Sequence, residues 1–132
     1  MNIALDIDGT ISERPEFFAV LSRAVRSAGG KVYVITSRTK TRDVETLTRR
    51  ELKSYGVEFD ALHIIPDAPQ DRIPCPHSGL DWYQQYLWQK VVVCLTHNVS
   101  IVFEDDPKVI DLFKKHAPEI QVFRVEGSVA ES

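Results

Sequence analysis

The sequence predicts a three-layer α/β/α fold in which helices cover both faces of a central, parallel, five-stranded sheet. Two observations carry this. Short apolar runs, most of them rich in Val and Ile, alternate strictly with longer segments whose apolar residues recur at helical spacing; parallel strands joined by helical crossovers produce that alternation. The order reads β-α-β-α-β-α-β-α-β, and its strands are the kind buried beneath helices on both sides.

The first strand spans 2–7 and runs into Asp6. Residues 15–28 form the first helix: Pro15 suits its first turn, Phe18, Leu21, Val25 and Ala28 make the apolar stripe, and Gly29-Gly30 ends it. "KVYVIT" (31–36) is the second strand, rich in β-branched residues. The second helix spans 41–55, with Val44, Leu47, Leu52 and Tyr55 towards the core and Gly56 as its stop. "ALHII" (61–65) is the third strand. Four prolines make 66–79 a long irregular loop, the kind of segment that often serves function. Residues 80–97 form the third helix, with Leu80, Tyr83, Leu87, Val91 and Cys94 in line. "VSIVF" (99–103) is the fourth strand. Asp106 caps the fourth helix and Pro107 takes its first position. "IQVFRV" (120–125) is the fifth strand. Residues 1–127 thus make one domain of Rossmann-like type, and 128–132 are expected to be a flexible tail.

A length of 132 residues suits one domain with one sizeable core. A net charge of −3 exerts no global pull towards nucleic acid or anionic lipid. No apolar stretch reaches membrane-spanning length, and the amino terminus enters a strand without the basic-then-apolar pattern of a secretory signal. No membrane partner is therefore expected. Cys75 and Cys94 lie far apart and form no CxxC, which leaves no disulfide scaffold and points to a reducing, cytoplasmic setting. The four histidines have no zinc spacing.

Parallel sheets bind ligands at the carboxyl ends of their strands. Asp6 and Asp8 follow the first strand; Thr36, Ser37 and Arg38 follow the second; Glu104, Asp105 and Asp106 follow the fourth. Lys90 lies in the helix that precedes the fourth strand. Carboxylates this close repel one another, and without a cation one of them would take up a proton. A hard divalent ion resolves the conflict. Magnesium fits an all-oxygen set that leaves room for water.

"DIDGT" after the first strand resembles the first motif of the haloacid dehalogenase superfamily of phosphohydrolases, an Asp-x-Asp-x-Thr pattern. "VYVITSR" resembles the second motif, Lys90 the third, and "IVFEDD" the fourth, in family order across most of the chain. The resemblance implies a magnesium-dependent phosphatase. Asp6 would be the nucleophile and form an aspartyl-phosphate. Asp8 would protonate the leaving oxygen and then activate water. Thr36 would hydrogen-bond the phosphoryl group and Lys90 would neutralise its charge. The metal would be held by Asp6, the Asp8 backbone carbonyl, Glu104 and Asp105, with Asp106 as second choice because it also caps a helix. Gly9, Thr10, Ser37 and Arg38 would contact substrate, although Arg38 is equally placed to begin a loop.

The superfamily often inserts a cap domain between its first two motifs, but here 25 residues separate Thr10 from Thr36 and one helix fills them. The resemblance is therefore to capless members with an open site, and the 66–79 loop is the segment left to wall it. Two substrate classes follow. Residues 35–65 resemble 5′-nucleotidase-like members, whereas "EDDPKVIDLF" resembles polynucleotide-end phosphatases. The substrate would be a phosphorylated small molecule or a nucleic-acid end. The alternative is a non-enzymatic phosphoryl receiver, or a regulatory binding domain. A receiver wants an aspartate after the third strand and a lysine after the fifth; Asp67 lies past Pro66, and no lysine follows "IQVFRV".

Overall fold

The computed structural model describes residues 1–127; the expected flexible tail, 128–132, lies outside the described residues. The strands are β1 (Ile3–Leu5), β2 (Val32–Thr36), β3 (Ala61–Ile64), β4 (Ile101–Glu104) and β5 (Gln121–Arg124). The helices are α1 (Pro15–Ser27), α2 (Val44–Tyr55), α3 (Trp82–Thr96) and α4 (Pro107–His116). Among the described residues no helix is long and apolar enough to cross a membrane.

The strands pair in the order β3-β2-β1-β4-β5, and every pairing is parallel. The chain therefore winds outward from β1 through β2 to β3, then crosses back to the other side of β1 to lay down β4 and β5. The direction of winding reverses between β1 and β4. Helices that enter and leave there diverge and open a crevice above the carboxyl ends of those two strands.

Side-chain alternation decides what faces that crevice. Ile3 and Leu5 of β1 pack with Phe18, Val25 and Leu52 of α1 and α2. Ala4 packs with Leu87, Val91 and Cys94 of α3. Asp6 continues the Ala4 side, so it points towards α3. In β4, Val102 belongs to the α3 and α4 side, and Glu104 continues it. Two acids from neighbouring strands thus arrive on one face by parity alone.

Several elements differ from the sequence reading. The first strand is three residues, because Ile7–Ile11 fold back in a turn closed by Ile11 N–H to Asp6 O (3.4 Å) and Ser12 N–H to Ile7 O (3.0 Å). The second helix starts at Val44, after a turn in which Val44 N–H reaches Thr41 O. Leu47, expected in the core, is 57% exposed, whereas Thr48 is fully buried. The buried stripe of α2 runs through Thr48 and Leu52, four residues apart, and Leu47 falls off it. The third helix starts at Trp82 because Asp81 caps it, accepting from Gln84 N–H. That helix is buried almost all round from Tyr86 to Val91, not along a single stripe. Part of its outer surface is covered by the 66–79 loop: Gln89 donates to Pro66 O and accepts from Ile73 N–H.

His63 on β3 packs beside His97, with ring centroids 5.2 Å apart, and its buried Nε2 has no hydrogen-bond partner. Burial, with His97 adding, lowers its pKa. The unfolded chain then takes up a proton before the folded one, so the fold loses stability as pH falls through the ordinary histidine range. Urea titrations between about pH 7 and pH 5 should show a shallower decline for His63→Phe than for wild type. Parallel curves would place the titrating group elsewhere.

Candidate active site

Lys90 is 4% exposed and sits between two buried acids. Its Nζ donates to Asp6 Oδ1 (3.1 Å) and to Glu104 Oε2 (3.2 Å). Burial opposes its charge, but the two carboxylates outweigh that and raise its pKa. The lysine is cationic and bonded to both acids.

Asp105 adds a third carboxylate. One oxygen each from Asp6, Glu104 and Asp105 can lie within 4.8 Å of the others, a grouping able to hold a metal ion. Burial, with Asp6 alongside, pushes the Asp105 carboxyl up to about 6. Glu104 is also raised, by burial first and by Asp6 and Asp105, against the opposing pull of Lys90. A single lysine is too little positive charge for three acids. The donor set is oxygen only, which suits magnesium or calcium and not a soft metal.

The turn after β1 is shaped for this crowding. Gly9 has φ +82°, in the left-handed region, and a Cβ there would lie 2.1 Å from Asp105 Oδ2. Only glycine meets both demands. Thr10 is fully buried, and its hydroxyl lies 3.4 Å from Asp105 Oδ1 and 3.5 Å from Asp6 Oδ2. It ties β1 to β4 at the acids instead of opening to a ligand.

Above the acids is a cavity of about 170 Å³ lined by Asp6, Asp8, Ser37, Tyr83, Lys90, Glu104, Asp105, Asp106 and Val109. Five carboxylates face one lysine there. A phosphate ester would be repelled unless a cation accompanied it.

Asp8 stands across the cavity from the triad with its side chain 66% exposed. Arg38 holds it in a bidentate pair, Nε to Oδ2 at 3.0 Å and Nη2 to Oδ1 at 2.9 Å. Arg38 is itself anchored by Glu51 and by Thr48 Oγ1. The two aspartates of the first motif are therefore compensated separately, Asp6 by Lys90 and Asp8 by Arg38.

Thr36 is 1% exposed and is not brought into the cavity. Its parity is that of Val32 and Val34, which pack against α1 and α2. Ser37, the next residue, has the opposite parity and lines the cavity. Asp106 accepts from Lys108 N–H as the cap of α4, and also from the Tyr83 hydroxyl. In the sequence Tyr83 falls in the apolar stripe of the third helix and among the aromatics Trp82, Tyr83, Tyr86 and Trp88, which suit either base stacking or the core, and neither role places it at the acids. Its position seven residues before Lys90, on the same helix face, is the signal that finds it. No residue of the 66–79 loop lines the cavity; Tyr83 supplies that wall. His77, in that loop, stacks on His116 with ring centroids 3.8 Å apart.

No protein-family model matches the chain, and no curated protein matches it by sequence. Solved structures do. A chain of the Pnkp1/Rnl/Hen1 RNA repair complex superposes with a TM-score of 0.66 at 16% identity, covering 97% of this chain and 43% of that one. A chain from another structure of the Pnkp1/Rnl/Hen1 complex gives 0.61 at 17% identity, covering 96% and 46%. A universal stress protein from Archaeoglobus fulgidus gives 0.50 at 16% identity, covering 96% and 93%. This chain spans less than half the length of the repair-complex chains it resembles. At such identities the likeness is one of fold.

Lys90→Met should destabilise the protein by about 3–5 kcal/mol in urea unfolding at neutral pH, because it leaves two buried carboxylates unpaired. Added magnesium should recover part of that loss. A cost below about 1 kcal/mol would mean that the acids are not held as charges by the lysine. Gly9→Ala should cost at least about 1 kcal/mol through backbone strain and displacement of Asp105; an unchanged unfolding midpoint would contradict the close approach.

Proposed function

We propose that this chain is a magnesium-dependent phosphomonoesterase that works through an aspartyl-phosphate on Asp6. The observation that carries the reading is the meeting of Asp6, Glu104 and Asp105 around Lys90 at the β1–β4 crevice, with Asp8 across the same cavity. Magnesium held by Asp6, Glu104 and Asp105 would supply charge neutralisation, letting a phosphate approach an acidic cavity.

The chain's own residues do the rest. A carboxylate oxygen of Asp6 attacks phosphorus as the bond to the ester oxygen breaks. Asp8, in its protonated form, gives its proton to that oxygen, and the alcohol leaves. Asp8, now a carboxylate, takes a proton from water as the water oxygen attacks phosphorus and the bond to Asp6 breaks. Inorganic phosphate leaves, and Asp6 and Asp8 return to their starting states. Lys90 keeps Asp6 oriented by donating to its Oδ1. Ser37, which lines the cavity, supplies a hydroxyl to the phosphate in place of buried Thr36. Arg38 must loosen its grip on Asp8 before that residue can serve as acid, and an entering phosphate is a competing anion for it.

The substrate class we propose is a nucleotide phosphate or the phosphorylated end of a nucleic acid. Its support is the fold shared with chains of an RNA repair complex and the absence of any inserted domain between Thr10 and β2. The receiver alternative lacks its lysine: β5 ends at Arg124 and is followed by Val125-Glu126. Free thiols at Cys75 and Cys94 support a cytoplasmic setting.

The protein should hydrolyse a generic phosphomonoester with magnesium and fall silent in EDTA. Asp6→Asn should lower turnover on the order of 10³-fold or more, and Asp8→Asn by roughly 10²- to 10⁴-fold. Magnesium at about a hundred times its Kd should stabilise the fold by about 2.7 kcal/mol in thermal unfolding. Turnover that persists in EDTA or in Asp6→Asn would exclude the mechanism.

A further inference from the structure

Trp82 is the first residue of α3, 65% exposed in spite of its contacts with Tyr86 and Arg72. Its indole stacks on Tyr86, one helical turn on, with ring centroids 6.0 Å apart and planes inclined by 22°. Arg72 reaches over both from the 66–79 loop, its guanidinium carbon 5.6 Å from the Trp82 ring centroid and 4.9 Å from that of Tyr86. The guanidinium is held there by the carbonyl of Asp67. An exposed tryptophan braced by a buried tyrosine and an anchored arginine is a rigid aromatic surface with a cation seated over its inner, Tyr86-side part. Core packing does not account for it, because the other tryptophan, Trp88, is 7% exposed and already fills that role.

The surface adjoins the cavity. Tyr83, next to Trp82 in the chain, lines the acidic cavity and hydrogen-bonds Asp106. The Tyr86 hydroxyl lies 3.5 Å from the carbonyl of Ser37, another cavity residue. The amino end of α3 stands at the carboxyl ends of the strands, on the same side of the sheet as Asp6.

We propose that Trp82, backed by Tyr86 and Arg72, is a stacking platform for the nucleobase of the nucleotide whose phosphate enters the cavity. The proposal rests on the phosphomonoesterase reading and narrows its substrate to nucleotides. Bases stack on aromatic side chains irrespective of sequence, and Arg72 adds a cation beside the base. The base comes either from a free mononucleotide or from the terminal residue of a single strand.

Two measurements test it. In Asp6→Asn with magnesium, adenosine 3′- and 5′-monophosphate should quench tryptophan fluorescence while ribose 5-phosphate does not, and Trp82→Phe in that background should remove most of the quenching. In the active protein, the preference in kcat/KM for a nucleoside monophosphate over ribose 5-phosphate should fall roughly 5- to 150-fold in Trp82→Ala and largely survive in Trp82→Phe. A short oligoribonucleotide with a terminal phosphate identifies the source: quenching by it alone, with strong salt dependence, assigns a strand end. Absence of quenching by every base-bearing ligand, or equal quenching by ribose 5-phosphate, overturns the proposal. A protein that turns over no phosphomonoester defeats the phosphatase reading by itself, and the fluorescence titration still decides the stacking.

Discussion

The structure depends on one buried cation held between two buried anions. Lys90 comes from the middle of α3, Asp6 from the end of β1 and Glu104 from the end of β4. Each would be costly to bury alone, since desolvating an isolated charge takes several kcal/mol. Together they are tolerated, and they clamp the helix to two adjacent strands at the point where the sheet changes its direction of winding. Their compensation is incomplete. Asp105 joins them at the surface and leaves the group one positive charge short or more, which is the physical ground for reading the site as a divalent-cation centre.

The backbone places these groups without special devices except at Gly9. Parallel pairing of β1 with β4 sets Leu5 beside Phe103, so Asp6 and Glu104 leave the sheet as neighbours, and alternation turns both towards α3. Gly9 is the exception because the turn carrying Asp8 passes so close to Asp105 that a side chain has no room. The turn delivers Asp8 to the far wall, where Arg38, Thr48 and Glu51 hold it away from the triad. The two carboxylates of one short motif thereby acquire opposite settings: one buried and locked, the other exposed and exchangeable. The proposed reaction asks for that difference between its nucleophile and its acid.

Much of this was legible in the sequence, for a physical reason. Strands, helices and their alternation follow from periodicity, and the acids after the first and fourth strands follow from where parallel sheets bind ligands. What escaped depends on parity and depth. Thr36 and Ser37 are both hydroxyl residues at one strand end, and only the actual end of β2 decides which faces the cavity. Leu47 looked like core because it is apolar, yet it lies off the stripe set by Thr48 and Leu52. Lys90 is named by the motif resemblance, but its depth is not legible: a helical lysine is ordinarily solvated, and its burial needs both acids, 84 and 14 residues away in sequence. Trp82 and Trp88 are chemically alike and opposite in exposure.

A similar fold occurs in chains of an RNA repair complex and in a universal stress protein, so the fold does not choose the chemistry. The choice lies in what stands above β1 and β4. The most direct measurement is acid quenching of the magnesium-loaded protein during turnover, followed by borohydride reduction and peptide mass spectrometry. The account predicts that Asp6, and no other carboxylate, is recovered as the reduced alcohol. Modification at Asp8 or Asp105 instead, or none while phosphate is being released, would contradict it.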